Sequence, residues 1–467
     1  MRKEDIKKIS DCLWEIPKTF RRDMRVPARF YTSEKMLDDI FCDKSLNQLV
    51  NMAALPGIVN FSLAMPDMHE GYGFPIGGVA AMDLKEGVIS PGGVGYDINC
   101  GMKLLRSEYR EEEVRPHLDK LATEIQGQVP SGLGRGREIK IDISSMDKIL
   151  ENGAQRLVEQ GYGEKEDLEN CESQGKLSLA DSSMVSDRAK NRGRDQVGTL
   201  GSGNHFLEIQ KVEEIFDVKT AESFGLFKDQ VVVMIHTGSR GLGHQIATDY
   251  IKIMMRAMPK YGIELPDEEL AACPMDSPEG KKYFAAMSCG ANYAWANRQM
   301  ITHFVRLAWK NILGEKASPL VSLYDVAHNI AKIEKHIVGG QLKELVLHRK
   351  GATRAFPGQP VLIPGSMGTA SYVLAGTEQG KESWFSTCHG AGRTMSRRAA
   401  SRAVSGEAVV KDLQSKGIIV KCWSAHGIAE EAPMAYKNID NVVEVVALSG
   451  LSRKVAKVRP LAVIKGE

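Results

Sequence analysis

A loop built from glycine places a carboxylate and a thiol three residues apart. The stretch reads SPGGVGYDINCGM, from Ser90 to Met102, with Asp97 and Cys100 near its centre. Its glycines, proline and asparagine favour turns over a helix or a central strand. A carboxylate and a thiol in such a loop, with apolar runs on both sides, indicate a metal site that takes further ligands from elsewhere in the chain.

Three histidines stand at the ends of apolar, strand-like runs and are candidates for those ligands. His205 opens the run NHFLEIQKV, His236 follows VVVMI, and His328 follows LVSLYDVA. A side chain at the end of a buried strand is held rigidly and projects into the adjoining cleft. Together with Asp97 and Cys100, these histidines exceed what one tetrahedral ion needs. We therefore expect two neighbouring ions that share the Cys100 thiolate, and the mixed O, N and S donors admit zinc, manganese or iron.

A fourth histidine lies in a different setting, among small residues. His389 stands in the stretch STCHGAGR and is followed by Gly390, Ala391, Gly392 and Arg393. Small residues let a bulky anion approach the backbone, whose N–H groups hold phosphate oxygens, and an arginine neutralises charge on phosphorus. The pattern is typical of a histidine that attacks phosphorus and becomes a phosphoramidate. The alternative is a glycine-rich helix start with an exposed histidine.

The elements that must position these residues are short strands, glycine turns and a few helices. Residues 61–107 are rich in glycine and proline between short apolar runs, which predicts strands joined by tight turns. Apolar residues at helical spacing predict helices over 111–128 and 282–313, the second a core helix. Strands and helices do not alternate regularly enough for a doubly wound sheet or a TIM barrel, so we expect an α+β class.

Two segments differ from the rest in composition. Residues 1–60 begin with charged residues and continue into an apolar stretch, which predicts an N-terminal segment packed on the remainder. Residues 130–195 are polar, with an acidic part followed by a basic part, which predicts a partly mobile insertion.

The bulk composition is that of an ordinary globular protein. The 467 residues are 43% hydrophobic and 26% charged with a net charge of +2, so no global charge excess points to nucleic acid. Eight cysteines without a CxxC pair argue against a disulfide scaffold and a zinc ribbon. The start MRKEDIKKIS lacks the apolar region of a secretory signal, and no apolar run approaches the length of a membrane span. We expect a cytoplasmic protein that binds no membrane.

Long motifs in a shared order resemble the RtcB family of RNA ligases. The motifs are SPGGVGYDINCG, GTLGSGNHFLEIQ, HTGSRGLG, YDVAHN, IPGSMGTASY, HGAGR, EAPMAYKNID and the terminal VIKGE. The likeness extends from about residue 50 to the C-terminus. It implies a single catalytic domain over residues 1–467, with a mixed β core, glycine-rich loops and surrounding helices.

The resemblance implies a metal and nucleotide site. It implies two manganese ions bridged by Cys100. Asp97 and His205 would bind one ion, and His236 and His328 would bind the other. His389 would take GMP from GTP. The implied nucleotide contacts are Asn204, His205, Phe206, Glu208, His328, Asn329, Pro364, Gly365, Ser366, Met367, Ser371, His389, Gly390, Ala391, Gly392, Tyr436 and Lys465. Lys465 lies near the chain end, where the alternative is a frayed, solvated side chain.

The implied reaction joins two RNA ends. One end bears a 2′,3′-cyclic phosphate or a 3′-phosphate and the other bears a 5′-hydroxyl. The intermediates are histidine–GMP and an RNA 3′ end activated with GMP. The resemblance places this reaction in tRNA splicing or RNA repair, on tRNA halves or broken RNA, and suggests an archease-type accessory protein.

Basic residues near the motifs are candidate RNA contacts, which would make binding salt-dependent and largely independent of sequence. Those in or beside the motifs are Arg192, Arg194, Arg240 and Arg393. The basic loop GLGRGR adds Arg135 and Arg137.

Two other functions are compatible with part of these residues. A dinuclear metal-dependent RNA phosphodiesterase or nuclease needs only the metal ligands, and leaves the HGAGR loop without a role. A non-enzymatic RNA-binding factor would hold metal for structure, although a structural site is usually closed and rich in thiolates.

Overall fold

A computed structural model describes residues 1–130 and 142–466 of the chain. None of the helices in these two ranges combines the length and the apolar character that a bilayer span requires.

Short strands dominate the described chain. In order they are β1 (Lys7–Lys8), β2 (Leu13–Ile16), β3 (Ala28–Tyr31), β4 (Ile58–His69), β5 (Ile76–Asp83), β6 (Val88–Ile89), β7 (Gly101–Arg110), β8 (Phe206–Ile215), β9 (Gln230–Thr237), β10 (Cys273–Pro274), β11 (Val321–Ala327), β12 (Asn329–Val338), β13 (Gln341–Lys350), β14 (Ala352–Arg354), β15 (Pro360–Ile363), β16 (Ser371–Gly376), β17 (Ser386–Cys388), β18 (Ile419–Cys422) and β19 (Ser452–Lys465).

The α-helices lie between and around these strands. They are α1 (Leu37–Ile40), α2 (Ser45–Met52), α3 (Glu111–Val114), α4 (Leu118–Gln128), α5 (Ile143–Glu159), α6 (Lys165–Glu169), α7 (Asp187–Gly193), α8 (Val218–Ser223), α9 (Arg240–Ala257), α10 (Pro278–Leu313), α11 (Arg397–Ala403), α12 (Gly406–Ser415), α13 (Ala425–Glu430) and α14 (Ile439–Leu448).

One large sheet is built from the N-terminal strands and a later hairpin. Its strand order is β1-β2-β3-β4-β5-β13-β12. The strands of residues 1–60 are therefore hydrogen-bonded into this sheet, with β3 parallel to β4. Strand β4 is almost entirely buried, which matches the apolar composition of this part of the chain.

The second large sheet aligns the ends of several strands. Its order is β11-β7-β9-β8-β19-β16-β15, with β18 added beside β19. At one end, Gly101 of β7 pairs with Thr237 of β9 and with Ala327 of β11. In the same sheet, Phe206 of β8 pairs with Lys465 of β19. Backbone register alone therefore brings the residues next to these positions together at one edge of the sheet, where these strands begin or end.

Helix α10 crosses the interior of the protein. It is 36 residues long, and Trp295, Tyr283 and Tyr293 along it are fully buried. Ser277 caps its N-terminus by accepting a hydrogen bond from the backbone N–H of Gly280. Residues 286–302 of this helix are buried without a break, so its central part lies inside the protein.

The mixed strands and helices form a single large α+β domain, so the predicted fold class is confirmed. The core helix predicted over 282–313 is present, and it begins earlier, at Pro278. The helix predicted over 111–128 is divided into α3 and α4 by a short 3-10 turn. Pro116 lies in that turn, and a proline lacks the N–H that a continuous helix requires.

The polar segment 130–195 is only partly described. Residues 131–141, which include Arg135 and Arg137, lie outside the described residues. The rest of the segment contains α5, α6 and α7. Helix α5 packs against α10, and α7 packs against α9.

Candidate active site

The candidate metal ligands meet at one edge of the second sheet. Cys100 directly precedes β7, His205 directly precedes β8, and His328 directly follows β11. His236 lies within β9, one residue before its end. The four side chains are buried, and Asp97 joins them from the glycine-rich loop.

Two groups of donor atoms form around a shared thiol. In the first group, Nε2 of His205 lies 2.8 Å from Oδ2 of Asp97 and 3.4 Å from Sγ of Cys100. In the second group, Nε2 of His236 lies 3.3 Å from Sγ of Cys100 and 3.3 Å from Nε2 of His328. The donor atoms of each group lie within 4.8 Å of one another.

The imidazoles are oriented so that Nε2 points into the groups. Nδ1 of His205 donates to the carbonyl oxygen of Leu200 at 3.2 Å, and Nδ1 of His236 donates to that of Asn204 at 3.2 Å. A main-chain acceptor on one ring nitrogen fixes the tautomer and leaves the other nitrogen as a ligand. The donor set therefore fits two divalent cations with Cys100 between them.

The electrostatics of Asp97, His236 and His328 suit cations, and Cys100 must release a proton to bind one. Burial and the neighbouring carboxylate of Asp97 raise the pKa of the Cys100 thiol well above its usual value. Burial and neighbouring imidazoles lower the pKa of His236 and of His328, so both rings are neutral. Burial opposes ionisation of Asp97, yet the neighbouring His205 lowers the pKa of that carboxyl. Neutral imidazoles and a carboxylate are the forms that bind metal.

A buried arginine supports the loop that carries Asp97 and Cys100, and the sequence did not predict it. Arg298 of α10 is fully buried and pairs with Asp325 at 2.9 Å. Its guanidinium also donates to the carbonyl oxygen of Asn99 at 2.8 Å. Asn99 adopts a positive φ of 52°, a conformation that asparagine tolerates better than most residues. An arginine within the apolar helical run ANYAWANRQMI was the available signal.

The nucleophile candidate lies beside this cluster and is held by an aspartate that the sequence did not predict. His389 directly follows β17, and its ring centroid lies 5.0 Å from that of His328. Oδ2 of Asp67, a fully buried residue of β4, accepts from Nδ1 of His389 at 2.5 Å. The same oxygen accepts from the backbone N–H groups of His389, at 3.0 Å, and Gly390, at 3.3 Å. A carboxylate within the buried run AMPDMH was the available signal.

A cavity opens in front of His389. Its empty volume is about 740 Å³, including the part open to solvent. Most of the predicted nucleotide contacts line it, together with some residues that were not predicted to bind nucleotide. The lining residues are His69, Ile76, Asn204, Phe206, His236, Pro364, Gly365, Ser366, Met367, His389, Gly390, Ala391, Gly392, Arg393, Arg397, Glu431, Tyr436 and Lys465.

Lys465 is an ordered part of the cavity wall. It is 3% exposed, and its Nζ donates to the carbonyl oxygens of Gly203 at 2.7 Å and His205 at 3.0 Å. Burial lowers the pKa of Lys465 to about 8, against the attraction of Glu431 and Glu208. Pairing of β19 with strands on both sides removes the fraying expected of a chain end.

Five predicted nucleotide contacts are not among the described residues that line the cavity: His205 and His328, which belong to the candidate metal ligands, and Glu208, Asn329 and Ser371. Glu208 is buried, accepts from Gln210, and has a pKa that burial raises to about 7. Asn329 donates to the carbonyl oxygen of Asp97 at 3.1 Å. Ser371 accepts from the backbone N–H of Gly365 at 3.1 Å. In this arrangement Asn329 and Ser371 support the loops that form the site.

The predicted RNA-contacting arginines fall into two groups. Arg192 and Arg194 are exposed on and directly after α7. Arg240 begins α9 and packs towards the glycine loop before His205. Arg393 is engaged within the protein, because its guanidinium contacts Glu431 at 2.8 Å.

Comparisons with known proteins identify relatives of the chain over most of its length. A family model described as tRNA-splicing ligase RtcB matches residues 48–466. A tRNA-splicing ligase RtcB from Thermococcus kodakarensis is 51% identical over 477 aligned residues, covering 99% of this chain and 99% of the relative. One from Aeropyrum pernix is 52% identical, covering 98% and 99%. An RNA-splicing ligase RtcB from Mycobacterium tuberculosis is 51% identical over 435 residues, covering 90% and 100%. On this identity and coverage, the chain belongs to the RtcB family.

Proposed function

We propose the route by which this chain, an RNA ligase of the RtcB family, joins RNA ends in tRNA splicing or RNA repair. It joins an end with a 3′-phosphate or 2′,3′-cyclic phosphate to an end with a 5′-hydroxyl, through GMP carried on His389. One observation carries the proposal. His389 is fixed through Nδ1 by Asp67 at 2.5 Å, and its ring lies 5.0 Å from His328 of the candidate metal cluster.

The candidate ligands would hold two divalent ions, for which the family resemblance favours manganese. Asp97, Cys100 and His205 would hold one ion, and Cys100, His236 and His328 the other. Such ions supply charge neutralisation on phosphate groups and lower the pKa of a coordinated water. The nucleotide would be GTP, bound in the cavity in front of His389.

The first chemical step is attack of His389 on the α-phosphorus of GTP. Asp67 accepts a hydrogen bond from Nδ1, so the proton is on Nδ1 and the lone pair is on Nε2. Nε2 is therefore the attacking atom. The Nε2–P bond forms while the bond from the α-phosphorus to the bridging oxygen breaks and pyrophosphate leaves. The ring then carries positive charge, which the buried carboxylate of Asp67 stabilises.

A hydrolysis, needed when the RNA end is cyclic, and two transfers complete the reaction. Water first opens a cyclic phosphate end to a 3′-phosphate. An oxygen of the RNA 3′-phosphate attacks the GMP phosphorus, the P–N bond breaks, and His389 becomes neutral again. The 5′-hydroxyl of the second RNA then attacks the RNA phosphorus, GMP leaves, and the hydroxyl proton passes to solvent. A 3′-phosphate alone is a poor electrophile because its leaving group would be oxide, and guanylylation replaces that group with GMP.

The walls of the cavity suit this substrate. The small residues Gly390, Ala391 and Gly392 line it beside the nucleophile, so the backbone is open to phosphate oxygens. Phe206 offers an apolar surface for a base, and Lys465 brings a positive charge. We infer that Arg192 and Arg194, exposed near the site, contact the RNA backbone.

A metal-dependent phosphodiesterase remains the main alternative, because the metal cluster alone would serve it. It gives no role to the hydrogen bond between Asp67 and His389 or to the cavity in front of His389. A non-enzymatic RNA-binding factor gives no role to the cluster of buried donors with a single thiol.

One labelling experiment tests the proposal. The protein is incubated with α-labelled GTP and manganese and separated on a denaturing gel. We expect label on the protein, lost on acid treatment as a phosphoramidate would be, and no label on His389→Ala. His117→Ala, which removes an exposed histidine on the short turn before α4, is the matched control and should label normally. Label retained on His389→Ala would assign the nucleophile to another residue.

Two further features stay predictions, the first from composition and the second from the resemblance. They are the cytoplasmic location and the archease-type accessory protein. The second is testable by adding a purified archease and counting joined RNA products per enzyme molecule, which should rise above one.

A further inference from the structure

A second histidine faces the cavity beside the nucleophile. We propose that His69 accepts a hydrogen bond from a ribose hydroxyl next to the phosphate that His389 transfers. The proposal rests on the proposed function of His389 and adds a substrate contact to the same site.

The position of His69 places it within reach of the transferred group. It is the last residue of β4, it pairs with Ile76 of β5, and both residues line the cavity. Its ring lies nearly parallel to that of His389, with centroids 6.5 Å apart and 23° between the planes. His69 does not belong to either group of candidate metal ligands.

The orientation of the His69 ring is fixed by the residue that also fixes His389. Nδ1 of His69 donates to the main-chain carbonyl oxygen of Asp67 at 2.9 Å, while the side chain of Asp67 holds His389. A carbonyl can only accept, so the proton is on Nδ1 and the lone pair is on Nε2. Among the described residues, none is hydrogen-bonded to Nε2 of His69. Asp67 therefore presents two imidazoles to one cavity.

The chemistry of a neutral imidazole selects its partner. Burial lowers the pKa of His69 to about 4, against the raising effect of its hydrogen bond to Asp67, so the ring is neutral near pH 7. A neutral Nε2 repels phosphate oxygens, because both carry lone pairs, and it requires a hydrogen-bond donor. The donors closest to the transferred phosphate in these substrates are ribose hydroxyls.

Two riboses flank that phosphate during the reaction. One is the ribose of guanosine, with 2′- and 3′-hydroxyls. The other is the terminal ribose of the RNA 3′-phosphate end, whose 2′-hydroxyl is adjacent to the phosphate. A protein contact to a 2′-hydroxyl of the RNA would also help distinguish RNA from DNA.

The test removes the acceptor and the donor separately and together. Wild type and His69→Phe, which keeps a ring without an acceptor, are compared on GTP, 2′-deoxy-GTP and 3′-deoxy-GTP in the guanylylation step. Both are also compared on 3′-phosphate RNA ending in ribose or 2′-deoxyribose in the GMP-transfer step. Loss of a single hydrogen bond should slow the affected step about tenfold.

With wild type, we expect one of the three deoxy substrates to react more slowly than its ribose counterpart. With His69→Phe, we expect that same deoxy substitution to cause no further loss of rate. That substrate identifies the ribose. His69→Gln, which restores a side-chain acceptor, should recover part of the sensitivity. If each deoxy substitution costs the same factor in wild type and in His69→Phe, the proposal is overturned.

Two controls separate this proposal from the proposed function and from misfolding. Metal content and melting temperature of His69→Phe should match those of wild type. The absence of any GMP adduct on wild-type protein would contradict the role of His389. A normal adduct, with deoxy substitutions that cost the same factor in wild type and in His69→Phe, would contradict only the role of His69.

Discussion

The metal-ligand cluster and the nucleophile site are adjacent, but they are assembled in different ways. The register of one continuous sheet places four of the five candidate ligands, and a buried arginine on α10 supports the loop that carries the fifth. His389 instead lies where three separate elements meet: the small sheet of β14 and β17, strand β4 of the other large sheet, and a glycine-rich loop. A sheet fixes several donors at once, whereas a junction depends on individual hydrogen bonds.

This difference implies that the two regions can be disabled separately. Loss of the shared thiol should affect both groups of ligands, since Cys100 belongs to both. Loss of a side chain at the junction should leave the ligands in place, because four of them lie at strand ends of the second sheet, to which β17 does not belong. The following variants test this separation.

Cys100→Ala should have the largest effect. We expect loss of both bound metal ions and of the GMP adduct, since the bridging donor is removed from two groups of buried ligands. Metal content is measured by elemental analysis and the adduct by labelling. Cys42→Ala, at an exposed free cysteine, is the matched control. Native metal stoichiometry in Cys100→Ala would refute the bridging role.

His389→Ala should abolish the GMP adduct completely while metal content stays at the wild-type level. The nucleophile is lost, but all five candidate ligands are retained, four of them in strand-defined positions. Elemental analysis and labelling on the same sample give both values. Loss of metal from this variant would show that the metal-ligand cluster depends on the nucleophile site.

Asp67→Asn should slow guanylylation by about 10²–10⁴-fold, with metal retained. The amide cannot supply the negative charge that stabilises the ring, although its oxygen can still accept from the N–H donors that converge on Oδ2. The rate is measured in single-turnover labelling. Asp11→Asn, at an exposed carboxylate, serves as the control. A rate within a few-fold of wild type would remove Asp67 from the mechanism.

Arg192→Ala combined with Arg194→Ala should have the smallest effect on chemistry. We expect an unchanged rate of guanylylation and weaker RNA binding. The slope of the log binding constant against the log salt concentration should fall in magnitude by about 1–2. Binding is measured by titration at several salt concentrations. Arg256→Ala, an exposed arginine near the end of α9, should not change the slope. An unchanged slope in the double variant would place the RNA elsewhere.

The sequence was sufficient for those features that depend on local pattern. Apolar runs next to His205, His236 and His328 predicted strands with a histidine at the border, and the structure has those strands. The long apolar tract predicted the core helix α10. Its start was placed too late, because Ser277 and Pro278, a cap and a first-turn proline, were not used as a start signal.

The sequence was insufficient for residues whose role depends on distant partners. Asp67 and His389 are 322 positions apart, and only the packing of β17 on β4 brings them into contact. Arg298 lies 199 positions from the asparagine it supports. A carboxylate or an arginine inside an apolar run signals a buried polar partner, but the run does not identify that partner.

Local patterns indicate which residue types can bind metal and attack phosphorus, because strand ends and glycine turns are encoded by periodicity and by allowed backbone angles. Three-dimensional packing settles which candidate ligands lie in the same group, which acceptor orients His389, and which side chains line the cavity. These are contacts between chain segments far apart in sequence. They follow from sheet register and core packing, which no local pattern specifies.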